Sequence, residues 1–358
     1  MSQKKPMPTN AEWQAAIAPF RKPDARRAKA QVLNTLVPYG VSLLAALILF
    51  PISFWASVPF TVLAGLLTVR IFIINHDCGH GSFMADKRLN DLLGFWTGTL
   101  SFTPYWRWRH GHAIHHAHSG DVRHDGTGYI WMMTTNQYDA ATPVQRLLYR
   151  LYRNPLILLG VGATWLFMIE YRWSTKGDDR RMFRDVWATN LFWAAFCTLV
   201  GFTAGPMAIL GVVLPMAILG TSFGVWLFYF QHHYDEAYFG SETEWDFTRA
   251  ALEGSSYLKL PRWLQWFSGN IGFHHIHHLS PKIPNYKLEE CHNAVSFFRD
   301  VKPLTFWGCV RAVRLNIIDS DTGRWTTFRA AGKKRKARLV AAKVALAAAA
   351  APIIVPPQ

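Results

Sequence analysis

Two long stretches of this 358-residue chain contain no Asp, Glu, Lys or Arg: Ala30 to Val69 and Val186 to Tyr234. At 40 and 49 residues, each is about twice the roughly 20 residues a helix needs to cross a bilayer. Each therefore reads as a hairpin of two spans, expected near 34–54, 56–75, 187–205 and 208–230. Long buried helices in a soluble core are the alternative, but such helices keep a polar stripe, and neither stretch has one. The fold class that follows is an all-α integral membrane protein, with four transmembrane helices in two hairpins and a helical cap on one side.

The charges give the orientation. All 38 Lys and Arg fall outside the two stretches, and the turns within them, near Pro51–Pro59 and Gly205–Met207, carry none. The positive-inside rule then places both termini and the 70–185 segment in the cytoplasm. The net charge of +15 is accounted for in this way. It does not point to nucleic acid, because the basic residues flank spans and form no single stripe.

Three regions follow: an N-terminal cytoplasmic arm over 1–33, a membrane domain over 34–300, and a C-terminal cytoplasmic segment over 301–358. The arm is basic, does not read as a cleavable signal peptide, and suggests a short amphipathic helix at Glu12–Phe20. Two shorter apolar runs, Leu92–Thr103 and Pro155–Glu170, are expected to lie at the interface or dip partway in. The last region ends in a basic, Ala-rich tail (Lys333, Lys334, Arg335, Lys336, Arg338) expected to be solvated or to touch lipid. Cys78, Cys197, Cys291 and Cys309 have no paired spacing and are expected to be reduced thiols.

All 15 histidines fall between 76 and 292, in clusters that map to one side of the membrane. His76 and His80 are four apart at the end of the second span, so a helix places them on one face. The runs His112-Ala-Ile-His115-His116 and His274-His-Ile-His277-His278 repeat offsets of three and four. Each helix can thus present two or three ring nitrogens to a common point. His110, His118, His124, His233, His275 and His292 lie outside this pattern and are expected to be surface or supporting residues.

Imidazole suits zinc, copper, iron and nickel alike. No cluster contains the His-Glu-x-x-His of a zinc protease, and eight ligands exceed what one metal ion uses, so two metals are the economical reading. The Glu-x-x-His pairs of soluble di-iron bundles are also missing, which leaves a histidine-rich dimetal centre in the cap. At a membrane surface, such a centre suits dioxygen chemistry on the unactivated C–H bonds of lipid chains, with the spans supplying an apolar slot.

The residues around these clusters carry a resemblance. The stretches His76-Asp-Cys-Gly-His80-Gly-Ser-Phe83, Phe102-Thr-Pro-Tyr105, His112-Ala-Ile-His-His-Ala-His-Ser-Gly-Asp121, Trp226-Leu-Phe-Tyr-Phe-Gln-His232 and above all Gly269-Asn-Ile-Gly-Phe-His-His-Ile-His-His-Leu-Ser-Pro-Lys-Ile-Pro-Asn-Tyr286 resemble the membrane fatty acid desaturase superfamily. They are most similar to bacterial acyl-lipid desaturases of the Δ12/ω-6 type, over about residues 35–300. The resemblance implies two iron ions held by His76, His80, His112, His115, His116, His274, His277 and His278, with a ninth ligand at His232. The usual Gln-His-Gln-Phe appears here as Gln231-His232-His233-Tyr234, so the choice between His232 and His233 stays open. Asp77, Asp121, Asp125 and Asn270 are candidates to hydrogen-bond the imidazoles and fix their tautomers; each also fits a cap or a turn.

The implied reaction uses dioxygen and two electrons to insert a cis double bond into a lipid-linked acyl chain in a bacterial inner membrane. No His-Pro-Gly-Gly haem motif is present, so a separate ferredoxin or cytochrome b5 type donor is expected. Arg107, Arg109, Arg146, Arg150, Arg153, Arg180 and Arg181 could dock an acidic donor or reflect the positive-inside bias alone. A lipid or alkane hydroxylase or a carotenoid ketolase of the same superfamily is the near alternative. A metal transporter is the distant one, and it would need ionisable residues within the spans.

Overall fold

The computed structural model describes residues 7–121, 130–240 and 245–349. The N-terminal region opens with α1 (Asn10–Ile17), closed by a capping box between Thr9 and Glu12. Its Trp13 and Ile17 are buried against the cap. The arm is stitched down further: Arg21 bonds Ser280, the Asp24 amide bonds the Tyr286 hydroxyl, and Arg27 pairs with Glu290.

The first charge-free stretch forms α2 (Ala25–Leu49) and α3 (Phe54–Gly79). Both reach beyond the expected spans on the cap side. Asp24 caps α2 by accepting from the Arg26 and Arg27 amides, so the helix starts nine residues before 34, and it turns at 50–53, short of 54. Ser53 caps α3, which continues four residues past 75. Charge marks where lipid ends, whereas caps mark where the helix ends.

Between the hairpins come α4 (Lys87–Leu100), α5 (Tyr105–His118), α6 (Thr135–Ala140), α7 (Pro143–Tyr152) and α8 (Ala163–Met168). The second stretch forms α9 (Arg180–Thr203), then the short α10 (Pro206–Ala208), which continues through a π-helical turn into α11 (Leu214–His232). Among the described residues, four helices are long and apolar enough to cross a membrane. The pair Pro143–Tyr152 and Ile157–Arg172, bent by 74°, meets the same measure only when taken together.

The cap is completed by α12 (Phe247–Glu253), α13 (Arg262–Phe267), α14 (His274–Leu279), α15 (Asn285–Ala294), α16 (Ser296–Arg299) and α17 (Phe306–Ala312), with the basic α18 (Phe328–Ala349) at the end. Two small sheets join in. β1 (Tyr257–Leu258) pairs parallel with β2 (Pro303–Leu304), and β3 (Ile317–Asp319) pairs antiparallel with β4 (Arg324–Thr326).

The spans are arranged for lipid. Leu33, Val37, Val41, Leu44 and Ile48 form an exposed apolar stripe on α2 at helical spacing. The same helix turns Gln31, Thr35 and Ser42 inward. Small residues let α3 and α11 approach closely. A Cβ on Gly65 would come within 2.9 Å of Leu219, and one on Gly220 within 3.0 Å of Thr68.

One ionisable residue does sit inside a span. Arg70 of α3 is 7 % exposed; it bonds Thr35 Oγ1 (3.0 Å) and the Trp266 carbonyl and lies 4.0 Å over the Trp266 ring. The spans are therefore not wholly free of charge, but this cation serves helix packing.

The Phe102-Thr-Pro-Tyr105 stretch is the corner between α4 and α5. Phe102 takes a left-handed φ of 62° and stacks on Trp193 with centroids 4.1 Å apart. The carboxylate of Asp185 accepts from the Trp106 amide at 2.6 Å, fixing the start of the helix that carries the second histidine run.

Candidate metal centre

Three helix ends and one short helix bring nine histidines together. His76 lies in the last turn of α3 and His80 just beyond it; His112, His115 and His116 lie on α5; His232 ends α11; His274, His277 and His278 lie on α14. They form two groups. His76, His80, His112, His116 and His277 make the first, and His115, His232, His274 and His278 the second, with one ring nitrogen of each within 4.8 Å of the others in its group.

This arrangement corrects the expectation of a common point for each run. Residues four apart (76 and 80, 112 and 116, 274 and 278) share a group. The remaining histidine of each His-x-x-His-His run goes to the other one, His115 to the second and His277 to the first. On α5 and α14 the ring at offset three points about 100° away from the ring at offset four, reading from about 100° per residue. Each helix therefore serves both groups. The groups touch where the His116 and His278 rings stack at 4.2 Å.

The nitrogen spacing fits metal ligation. In the first group, His116 Nε2 lies 3.1 Å from His112 Nε2 and 3.0 Å from His277 Nε2. In the second, His115 Nε2 lies 3.1 Å from His232 Nε2 and 3.3 Å from His278 Nε2, and His232 Nε2 lies 3.0 Å from His274 Nε2. Nitrogens about 2.1 Å from a shared ion sit roughly 3.0–3.4 Å apart, which is the range found. His76 Nε2 and His80 Nε2 are buried without a hydrogen-bond partner, a costly state for a polar atom that a metal would relieve.

Burial holds the rings of His80, His112, His115, His116, His274, His277 and His278 well below the usual histidine range, and neighbouring histidines lower them further. Neutral imidazole is the metal-binding form.

Behind these histidines, Asp77 Oδ1 accepts from His76 Nδ1 at 2.9 Å, while its Oδ2 accepts from the Asn285 amide (2.6 Å) and Nδ2 (2.8 Å). A carboxylate that is 1 % exposed is held by these charge-assisted bonds, and it leaves His76 Nε2 facing the group. His232 Nδ1 is held by the Gly254 carbonyl (3.3 Å), which likewise leaves Nε2 for the second group.

The structure places His233 elsewhere. Its ring stacks on Tyr229 and bonds Arg153 and the carbonyls of Ala312 and Leu315. Asp121 is buried just past α5, where its main chain pairs with Gly240. Asn270 takes a left-handed φ of 62°, and its side-chain amide donates to the Asn285 carbonyl (3.4 Å) instead of a histidine. It is a turn residue. Asp125 and His124 lie outside the described residues. His110 is exposed, whereas His275 is fully buried on the far side of α14, among Tyr257, His292 and Phe298.

Most of the arginines singled out in the sequence are engaged by groups of the protein itself. Arg153 is buried, Arg109 pairs with Asp91, and Arg107 bonds the Glu170 and Trp173 carbonyls. Arg146 bonds main-chain carbonyls of α6, and Arg150 bonds the Tyr138 hydroxyl. Arg181 lies over Trp106, and Arg180 is exposed. Sequence reasoning missed Asn285 as the partner of Asp77, although it lies inside the most specific motif, at Pro284-Asn285-Tyr286.

A cavity of about 40 Å³ adjoins the second group, lined by His115, His232, Phe228, Ile130, Met132 and Arg153, among others. It has room for one or a few waters, not for an acyl chain.

A family model described as fatty acid desaturase matches residues 53–308. A fatty acid desaturase of Bacillus subtilis (strain 168) is 42 % identical over 315 residues, covering 88 % of this chain and 89 % of the relative. The sn-1 oleoyl-lipid 12-desaturase of Synechocystis sp. is 30 % identical over 276 residues, 76 % of each chain. A chloroplastic temperature-sensitive sn-2 acyl-lipid omega-3 desaturase (ferredoxin) of Arabidopsis thaliana is 26 % identical over 329 residues, 82 % of this chain and 70 % of the relative. The matched stretch contains both histidine groups and three of the four long helices. This chain is a membrane oxidoreductase that belongs to the fatty acid desaturase family.

Proposed function

We propose that the protein inserts a cis double bond into a lipid-linked acyl chain at the Δ12/ω-6 position, using dioxygen and two electrons at a pair of iron ions. The observation that carries this reading is the division of nine histidines, each buried or partly buried, into two adjacent groups of five and four. When bound, the iron pair supplies reductive activation of dioxygen, which acid–base side chains cannot provide for an unactivated methylene. His76, His80, His112, His116 and His277 hold one ion, and His115, His232, His274 and His278 the other.

The chain's own residues prepare the site. Asp77 and the Gly254 carbonyl hold ring protons on Nδ1 of His76 and His232, so Nε2 faces the metal side. Burial keeps the histidines neutral. The relatives named for acyl-lipid substrates support a lipid-linked chain, and the name of the Synechocystis protein supports the 12 position. The name of the Arabidopsis relative supports a separate ferredoxin-type donor. The distribution of Lys and Arg supports cytoplasmic termini, and the likeness to bacterial relatives supports a bacterial inner-membrane location.

Gas chromatography of membrane fatty acids from bacteria expressing the chain tests the reading. A new diene with its added bond at the 12 position is expected. A bond at another position defeats the positional assignment alone, whereas an oxygenated product or an unchanged profile defeats the reading as a whole.

A further inference from the structure

Arg153 is a buried cation for which the metal groups have no evident use. It is 2 % exposed, and no carboxylate pairs with it among the described residues. Its guanidinium lies between the rings of Tyr229 and Trp325, 5.4 and 5.0 Å from their centroids. Nη2 donates to the Tyr229 hydroxyl (3.1 Å) and toward His233 Nδ1 (3.2 Å).

The partners of His233 settle its tautomer. Nε2 lies 3.0 Å from the Ala312 carbonyl and 2.9 Å from the Leu315 carbonyl. Carbonyl oxygens only accept, so Nε2 carries the ring proton and Nδ1 accepts from Arg153. One neutral ring thus ties four segments together: the end of α11, the end of α7 at Arg153, the last residue of α17, and Leu315 just before β3. His233 is also the residue at which α11 leaves helical geometry, with φ −125° and ψ 92°. The residue immediately before it is His232, whose Nε2 meets His115 and His274.

We infer that Arg153 and His233 are positioning residues for His232: their clamp on the end of α11 sets its imidazole against the second histidine group. The inference rests on the reading of that group as a metal site. Neither residue reaches the group itself, so both act through the register of α11.

The donor and acceptor pattern supplies the test. A glutamine at 233 can accept from Arg153 through Oε1 and donate through Nε2 to the two carbonyls; a leucine can do neither. The full-length chain and the variants His233→Gln, His233→Leu and Arg153→Met are purified in detergent. Bound iron per chain, acyl product and elution as a single folded species are measured for each. The wild type and His233→Gln are expected to hold two irons. His233→Leu and Arg153→Met are expected to lose about one, with product reduced at least tenfold and elution unchanged.

Two irons in folded His233→Leu and Arg153→Met overturn the inference, and so does equal iron loss in His233→Gln and His233→Leu. If His233→Leu fails to fold, Arg153→Met and His233→Gln still decide. Titrating the same proteins with Co2+ alone, read by visible absorption, separates the two claims. A wild type that binds two Co2+ but carries no iron sinks the iron assignment and leaves the positioning of His232 to be judged by the Co2+ stoichiometry of the variants.

Discussion

The two histidine groups sit side by side but are built differently. The first draws two rings from the end of α3, two from α5 and one from α14, and two of its pairs have the four-residue offset of a single helix. A buried carboxylate bonded to Asn285 stands behind it. The second takes one ring from α5, one from α11 and two from α14. It is braced by a main-chain carbonyl at Gly254 and adjoins the small cavity. The first group is thus largely a product of helix periodicity. The second has one such pair and takes single rings from α5 and α11, and with four nitrogens instead of five it has less to lose.

Removing a ligand from each side is the hardest test of that contrast. His278→Ala is expected to reduce acyl product below about 1 % and to release one metal, because three nitrogens remain. His80→Ala leaves four nitrogens in its group and is expected to retain more metal than His278→Ala, though it too loses product. Metal content with acyl analysis checks both. Equal metal loss would erase the distinction between the groups.

Asp77→Asn acts behind the first group only. An amide cannot accept from His76 and from both Asn285 donors as the carboxylate does. Metal affinity or activity is expected to fall roughly 10–100-fold, read by chelator competition, with one metal leaving before the other.

A pH series asks whether both groups are equally dry. Burial lowers the ligand histidines in the folded protein, while the unfolded chain takes up protons below its usual value of about 6.5. The unfolded state then binds more protons, so these histidines cost the metal-free protein stability as pH falls from about 6.5 and contribute no pH dependence well above it. Thermal unfolding of chelator-treated protein at several pH values reads this. The smallest effect belongs to His110→Ala, on the exposed face of the ligand-bearing α5, where product within about twofold of wild type is expected.

The sequence made the spans and the i, i+4 histidine pairs legible, because absence of charge and helical offset are local properties. It could not assign His115 and His277 to their groups, since a ring at offset three turns far enough to serve another centre. The choice between His232 and His233 was equally closed. It depends on carbonyls at 312 and 315, about 80 residues away in the chain. For the arginines, composition shows where cations are, not that Arg107, Arg109 and Arg153 hydrogen-bond within the protein.

The glycine contact between α3 and α11 has a mechanical consequence. α3 ends in His76, a member of the first group, and α11 ends in His232, a member of the second. Gly65 and Gly220 sit well below those ends, where a Cβ on either helix would press tightly on the other, on Leu219 and the Met216 carbonyl or on Thr68 and the Gly65 carbonyl. They act as the fulcrum of a pair of calipers whose tips are the two imidazoles. A side chain added at the fulcrum would wedge the shafts apart and widen the gap at the tips, altering the distance between the metal seats without touching a ligand.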